Sequence, residues 1–152
     1  MIKIKKIILG SIILLFFTQN SYGVIKDSVY ATVGNKAITH SDIVNEIKTI
    51  LILNNQVFSE DQKQQLEAAA VKSTIQRNIK RIEIEKFPNL TFSYSDLNNE
   101  LKRLAKNINM SLEVFKDIFD RNNVDFSIVE NRIETELLWN SLIFQLYKNN
   151  LT

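Results

Sequence analysis

The residues best placed to do chemistry lie in the short run Thr39-His40-Ser41-Asp42, which brings together hydroxyls, an imidazole and a carboxylate. A hydrolytic triad needs such groups to converge in space beside an oxyanion site, and adjacency along the chain does not provide that geometry. The sequence contains no G-x-S-x-G, Walker, G-x-G-x-x-G or H-E-x-x-H motif. The run is also typical of a helix start, so we interpret His40 as an exposed side chain in a helix-capping turn.

Carboxylates are the next candidates for acid and base chemistry, and they fall into two groups: Glu83 with Glu85, and Glu130 with Glu134 and Glu136. They alternate with lysines and arginines at helical spacings, which is the pattern of a solvated helix face. The 152 residues include no Cys and one His, which excludes thiol nucleophiles, Cys-bound zinc and multi-histidine metal sites within one chain. We therefore predict no catalytic residue, no metal, no cofactor and no enzyme activity.

Three aromatic residues, Phe115, Phe119 and Trp139, form a different kind of candidate. Aromatic side chains on helices mostly belong to a core, but they also line surfaces that receive extended apolar peptides. The sequence leaves both roles open. We take the three as the candidate substrate-binding set, with core packing as the alternative for each.

The net charge of +2 depends on three lysines near the start of the chain, Lys3, Lys5 and Lys6. Without them, 16 basic residues stand against 17 acidic ones, so residues 24 to 152 carry a charge of about −1. Phosphate binding needs a basic excess, and we therefore do not expect nucleic acid as a partner.

Residues 1 to 23 have the layout of a secretory signal peptide. A basic start is followed by an apolar run of 11 residues, from 7 to 17, and a short polar stretch. Spanning a bilayer takes about 20 residues, and the small residues Ser21 and Gly23 suit a cut before Val24. We expect export and cleavage, with an uncleaved signal that tethers the protein to the membrane as the alternative. The absence of Cys agrees with an oxidising destination, which in a Gram-negative cell is the periplasm.

The remaining residues, 24 to 152, predict one mainly α-helical domain with a short N-terminal β-hairpin. Gly34-Asn35 between β-prone segments indicates a tight turn, with strands at 29 to 33 and 36 to 39. Five helices are expected from their caps and periodicity. The first runs from about 41 to 54 after a capping box at Thr39, and the second, a long one, runs from a capping box at Ser59 to Phe87-Pro88. The third and fourth are capped by Ser95 and Ser111, and the fifth runs from about Ser127 to Tyr147. The last helix becomes apolar nearly all round beyond Leu137, so other structure should enclose it.

The order of these pieces resembles the N-terminal domain of SurA-type periplasmic chaperones. The first anchor is V-x-x-x-V-G-N-x-x-I-T-x-S-D-I, from Val29 to Ile43, and the second is N-M-S-L-E-V-F, from Asn109 to Phe115. The late helix with Glu136, Leu137 and Trp139 is the third, and the connection between Lys86-Phe87 and Ser95-Asp96-Leu97 also looks similar. The resemblance spans the whole of residues 24 to 152.

This resemblance implies an ATP-independent holdase that shields unfolded outer-membrane β-barrel proteins or other exported polypeptides in the periplasm. Family members usually continue into parvulin-type prolyl isomerase domains, whose sites are built around paired histidines on a mixed sheet. With His40 alone and hardly any predicted sheet, we expect no isomerase activity here. The alternative is the non-catalytic N-terminal part of a truncated or split parvulin-type isomerase.

In the family, a returning C-terminal segment completes the helical core and adds a strand beside the hairpin. Its absence here predicts an open hairpin edge and an uncovered apolar face on the last helix. Client polypeptides, a second copy in a homodimer, or a separately encoded partner would then cover these surfaces.

Overall fold

The computed structural model describes residues 27 to 148, and the predicted signal peptide lies outside them. The described residues form a two-stranded antiparallel sheet and five α-helices, which confirms the mainly helical prediction. In chain order they are β1 (Val29–Val33), β2 (Lys36–Thr39), α1 (His40–Leu53), α2 (Lys63–Ile84), α3 (Tyr94–Asn107), α4 (Leu112–Arg121) and α5 (Ser127–Tyr147), with a 3-10 turn at Glu60–Gln62 before α2.

The hairpin has the two strands and the Gly34-Asn35 turn that the sequence predicts. Gly34 has a φ of +58°, a conformation that side chains other than glycine adopt at a cost. A Cβ at this position would also lie 3.1 Å from Cδ1 of Ile82 on α2. The turn therefore needs glycine both for its backbone conformation and for its close approach to the helix.

Three serine or threonine caps decide where helices begin. The Thr39 capping box is confirmed: its hydroxyl accepts from Asp42 N at 3.2 Å, and the Asp42 carboxylate accepts from Thr39 N at 2.8 Å. Ser111 caps α4 as predicted, by accepting from Val114 N. The cap of α3 is Ser93, whose hydroxyl accepts from Asp96 N, and the prediction of Ser95 is wrong because the cap lies two residues earlier and the helix begins at Tyr94.

The predicted capping box at Ser59 is also wrong. The Ser59 hydroxyl donates to the Asp61 carboxylate at 3.0 Å, and no side-chain cap bond to the backbone forms. The chain makes a 3-10 turn there, in which Gln62 N donates to Ser59 O. The α-helix itself starts at Lys63, after the turn.

Three helices end in the same way, on an asparagine with positive φ: Asn55 after α1, Asn109 after α3 and Asn123 after α4. After α4, for example, Asn123 N donates to Asp120 O and Val124 N donates to Phe119 O, both at 3.0 Å. This is the Schellman pattern, which satisfies the last helix carbonyls and is usually built on glycine. Asparagine tolerates the left-handed conformation better than most residues, so it serves the same purpose here.

The apolar core has two parts. One lies between the hairpin, α1 and α2 and contains Ile38, Ile43 and Ala70. The larger one lies among α3, α4 and α5, around Phe115 and Phe119. Helix α5 packs against both α2 and α3 and so connects the two halves.

The C-terminal end of α5 is not enclosed by the described residues. Phe144 is 66% exposed, and Leu146 and Tyr147 are also exposed. Within residues 27 to 148 the expected enclosure of α5 is present only in part, since Leu142 is buried, and the end of the helix carries an uncovered apolar surface. None of the helices in the described range is long and apolar enough to cross a bilayer.

Candidate functional site

An apolar depression lies between β1 and α2, and we call it the Tyr30 groove. Its volume is about 600 Å³. Ala68, Val71 and Ile75 of α2 give it an apolar floor, since they recur at the three- and four-residue spacing of one helix face. The remaining lining residues are mostly polar and lie at its rim: Tyr30, Gln64, Glu67, Lys72 and Gln76.

Tyr30 reaches the groove because of a β-bulge. Val29 pairs with Thr39 and Ala31 with Ile38, so Tyr30 is an extra residue that has no partner on β2. Its hydroxyl donates to the Glu67 carboxylate on α2 at 3.2 Å. That bond raises the pKa of Tyr30, because it stabilises the neutral phenol. The tyrosine ring thus closes one side of the groove.

Strand β1 is hydrogen-bonded to β2 along one edge, and the described residues place no strand along its other edge. Val29 on this strand is 57% exposed, and Tyr30 is also exposed. Unpaired edges present N–H and C=O groups that can bind an extended chain. Strand β1 therefore has an unpaired edge and also lines one side of the groove through Tyr30.

A second apolar surface surrounds the loop after α1. Val57 is 88% exposed and Phe58 is exposed beside it. Both line a hollow of about 410 Å³ between α1 and α4, together with Leu51, Ile52 and Ile118. The end of α5 is a third apolar surface, and further large apolar side chains are exposed singly at Val44, Ile79, Tyr94 and Val114.

The structure corrects two members of the predicted substrate-binding set. Phe115 and Phe119 are both 0% exposed, and their rings pack edge to face on each other at 5.1 Å and on Phe126 at 5.7 and 5.4 Å. They form the centre of the larger core and cannot touch a ligand on the surface of this fold. Trp139 is partly buried on α5, with Lys80 Nζ 5.8 Å from the centre of its ring.

His40 is exposed and does not form a triad with its neighbours in the sequence. Its Nδ1 lies 2.9 Å from the Ser28 hydroxyl and 3.1 Å from the Ser28 carbonyl, while the Asp42 carboxylate is held in the capping box. The His40 ring also packs edge to face on Tyr30 at 5.0 Å. Its position is that of the helix-capping turn that the sequence predicts.

The candidate carboxylates do not converge on a common point. Glu83 near the end of α2 pairs with Lys86 in the turn that follows the helix, and Glu136 on α5 pairs with Lys80 on α2 at 2.6 Å. Glu85 pairs with Lys36 of the hairpin. Within residues 27 to 148, no group of three or more His, Cys, Asp or Glu side chains is arranged to hold a metal ion.

The sequence did not indicate Glu46 as a candidate, although this carboxylate is the most buried charged group among the described residues. Glu46 on α1 is 1% exposed and accepts hydrogen bonds from Ser73 at 2.7 Å, Arg77 at 2.6 Å and Arg132 at 3.0 Å. Burial raises the pKa of Glu46, but the hydrogen bonds and charges of these partners outweigh it, and the pKa lies below its ordinary value. Its helical spacing indicates this burial: Glu46 follows Ile43 by three residues, so it lies on the same helix face, where a core side chain is expected.

Comparison with models of protein families, with curated proteins and with solved structures finds no match to this chain.

Proposed function

We propose that this protein is a periplasmic, ATP-independent holdase that binds unfolded outer-membrane β-barrel proteins. The observation that carries the proposal is the Tyr30 groove beside the unpaired edge of β1. The resemblance of residues 24 to 152 to the N-terminal domain of SurA-type chaperones supports the same function.

Strand addition explains why barrel proteins would be suitable clients. An extended chain that pairs with the edge of β1 points alternate side chains to the same face. Transmembrane barrel strands alternate apolar and polar residues with this period of two. The apolar members of such a segment can enter the groove over Ala68 and Val71 while the polar members face water.

The energetics favour weak and reversible binding. Fully burying one apolar side chain contributes about 1.5 to 3 kcal/mol, and an open groove covers each side chain only partly. Useful affinity therefore requires several contacts, for which the hollow at Val57 and Phe58 and the exposed end of α5 offer additional surface. Each of these contacts is weak and opens quickly, so a client can dissociate step by step without a source of chemical energy.

The test is suppression of light scattering when a urea-unfolded outer-membrane barrel protein is diluted into the purified protein. We expect suppression at stoichiometric ratios. Ala68→Glu places a carboxylate on the floor of the groove, where an incoming apolar side chain must strip its water. Losing one side-chain contact of about 1.4 kcal/mol should weaken client binding about tenfold, and more of the variant than of the parent should then be needed to suppress scattering.

Ala69→Glu is the matched control, because Ala69 is an exposed alanine on the same helix that does not line the groove. Circular dichroism of both variants confirms that they are folded. If the folded parent protein does not suppress scattering, the holdase function is wrong. If the parent is active and the two variants behave alike, clients bind elsewhere than in the Tyr30 groove.

Export is the second part of the proposal and needs its own measurement. The mass of the protein isolated from cells should correspond to a chain that begins at Val24, with residues 1 to 23 removed. An intact N-terminus in a membrane fraction would instead support the tethered form.

A further inference from the structure

We propose that the polar cavity between the hairpin, α1, α2 and α5 is a binding site for a small oxyanion, a carboxylate or a phosphate group. The cavity has a volume of about 400 Å³, which is within the range of small-molecule sites. It is independent of the holdase proposal, because it shares no lining residue with the Tyr30 groove. We call it the Arg81 cavity after the arginine at its edge.

The lining of the cavity is rich in hydrogen-bond donors. Four asparagine amides and three cationic side chains surround it: Asn35, Asn45, Asn78, Asn131, Lys36, Arg77 and Arg81. The remaining lining residues are Ala37, Asp42, Glu46, Thr74 and Ile128. Convergent amide and guanidinium donors are the chemistry that recognises carboxylate and phosphate oxygens.

The charges of the cavity favour an anion. Glu46 is shared by two guanidinium groups, those of Arg77 and Arg132, which leaves one positive charge in excess. Lys36 is neutralised by Glu85. Asp42 contributes a negative charge, which its hydrogen bond from the neutral backbone N–H of Thr39 does not remove, and this charge offsets the excess left by Arg77 and Arg132.

Arg81 supplies the remaining positive charge. No carboxylate among residues 27 to 148 lies within ion-pair distance of its guanidinium group. A guanidinium group without a carboxylate partner can bind a carboxylate or phosphate through two parallel hydrogen bonds.

Two polar atoms in the wall of the cavity lack partners. The Thr74 hydroxyl and Nη1 of Arg77 are buried and form no hydrogen bond. Leaving such groups unsatisfied costs free energy, so native proteins usually supply a partner for them. Both atoms are closed to water in this conformation, so they mark unmet hydrogen-bonding capacity in residues that line the cavity.

The experiment is an ¹⁵N NMR titration of the purified protein with sodium phosphate and, separately, with sodium acetate, each against sodium chloride at equal ionic strength. We expect saturable shifts of the Arg77 and Arg81 side-chain N–H signals and of the Asn45, Asn78 and Asn131 amides. Saturation by phosphate alone assigns a phosphate ligand, and saturation by acetate alone assigns a carboxylate. If neither anion saturates these signals, or if chloride shifts them equally, the proposal is wrong.

Arg81→Gln removes the guanidinium group from an exposed position, so its effect on folding should be small. It should weaken the binding of the saturating anion about tenfold, which corresponds to one charge-assisted hydrogen bond. Arg103→Gln is the matched control, because Arg103 is an exposed arginine on α3 that pairs with Glu100 and lies outside the cavity. Equal affinity in the two variants would overturn the assignment of Arg81.

Discussion

The substitution Glu46→Gln tests whether a buried charge holds α1, α2 and α5 together. It keeps the size of the side chain and one acceptor oxygen but removes the negative charge that faces Arg77 and Arg132. Removing one member of a buried ion pair typically costs about 3 to 5 kcal/mol. Glutamine still accepts from one guanidinium, and the Arg132 side chain is 33% exposed and keeps some water, so we expect about 2 to 3 kcal/mol at neutral pH.

The loss should depend on pH in a specific direction. Because the pKa of Glu46 is lowered in the folded state, the unfolded chain binds the proton more readily. The stabilisation is therefore fully present above the ordinary glutamate pKa of about 4.3 and is lost as the pH falls through the lower pKa of the folded state. The contributions of the other carboxylates to the pH dependence of stability are shared by both proteins, so they largely cancel when the two free energies of unfolding are subtracted.

Urea denaturation followed by circular dichroism gives the free energy of unfolding at neutral pH and at several values below about 4. The difference between the parent and Glu46→Gln should be largest at neutral pH and should narrow in acid. Glu136→Gln is the control, since Glu136 pairs with Lys80 on the surface and its loss should cost less than about 1 kcal/mol. Equal stability of parent and Glu46→Gln at neutral pH, or a difference that does not change with acid, would refute the reasoning.

Two pairs of substitutions test the core and the caps by the same denaturation method. Phe119→Ala should lower the free energy of unfolding by about 3 to 5 kcal/mol, because it empties the centre of the aromatic cluster. Phe144→Ala, on the exposed end of α5, should change it by no more than about 0.5 kcal/mol. Similar losses in the two variants would contradict the assigned burial. Ser93→Ala should cost about 1 kcal/mol and Ser95→Ala much less, since the Ser93 hydroxyl caps α3; the reverse order would restore Ser95 as the cap.

The sequence predicts the fold well where a local signal is decisive. The Gly34-Asn35 turn gives both strands, and the Thr39 and Ser111 caps give the starts of α1 and α4. It fails at Ser59 and Ser95, because several serines and acidic residues near a helix start can each satisfy the same pattern. Which hydroxyl meets a free backbone N–H depends on the path of the preceding chain, and the local sequence does not contain that information.

The candidate site shows a different limit. The spacing of Phe115 and Phe119 on α4 predicts one shared face but not whether that face meets a core or a ligand. The Tyr30 groove was not predicted at all, because it depends on a one-residue bulge in β1 and on α2 passing beside it. Bulges depend on the register between strands, which a periodicity in one segment does not reveal.

The charge of the rim of the Tyr30 groove determines whether the groove can discriminate between bound segments by their charge. Glu67 and Lys72 have opposite charges, and Gln64 and Gln76 are neutral, so the rim has little net charge. A client bound there under the proposed function would gain or lose little from its own charge, and its affinity would depend on apolar side chains that reach Val71 and Ile75. Under the proposed function the groove would select exposed apolar segments in general, and it would not take up a folded barrel, because the strands of a closed barrel are already paired with one another and no single strand is free to add to β1. A holdase needs this selectivity, since a folded barrel must no longer be bound.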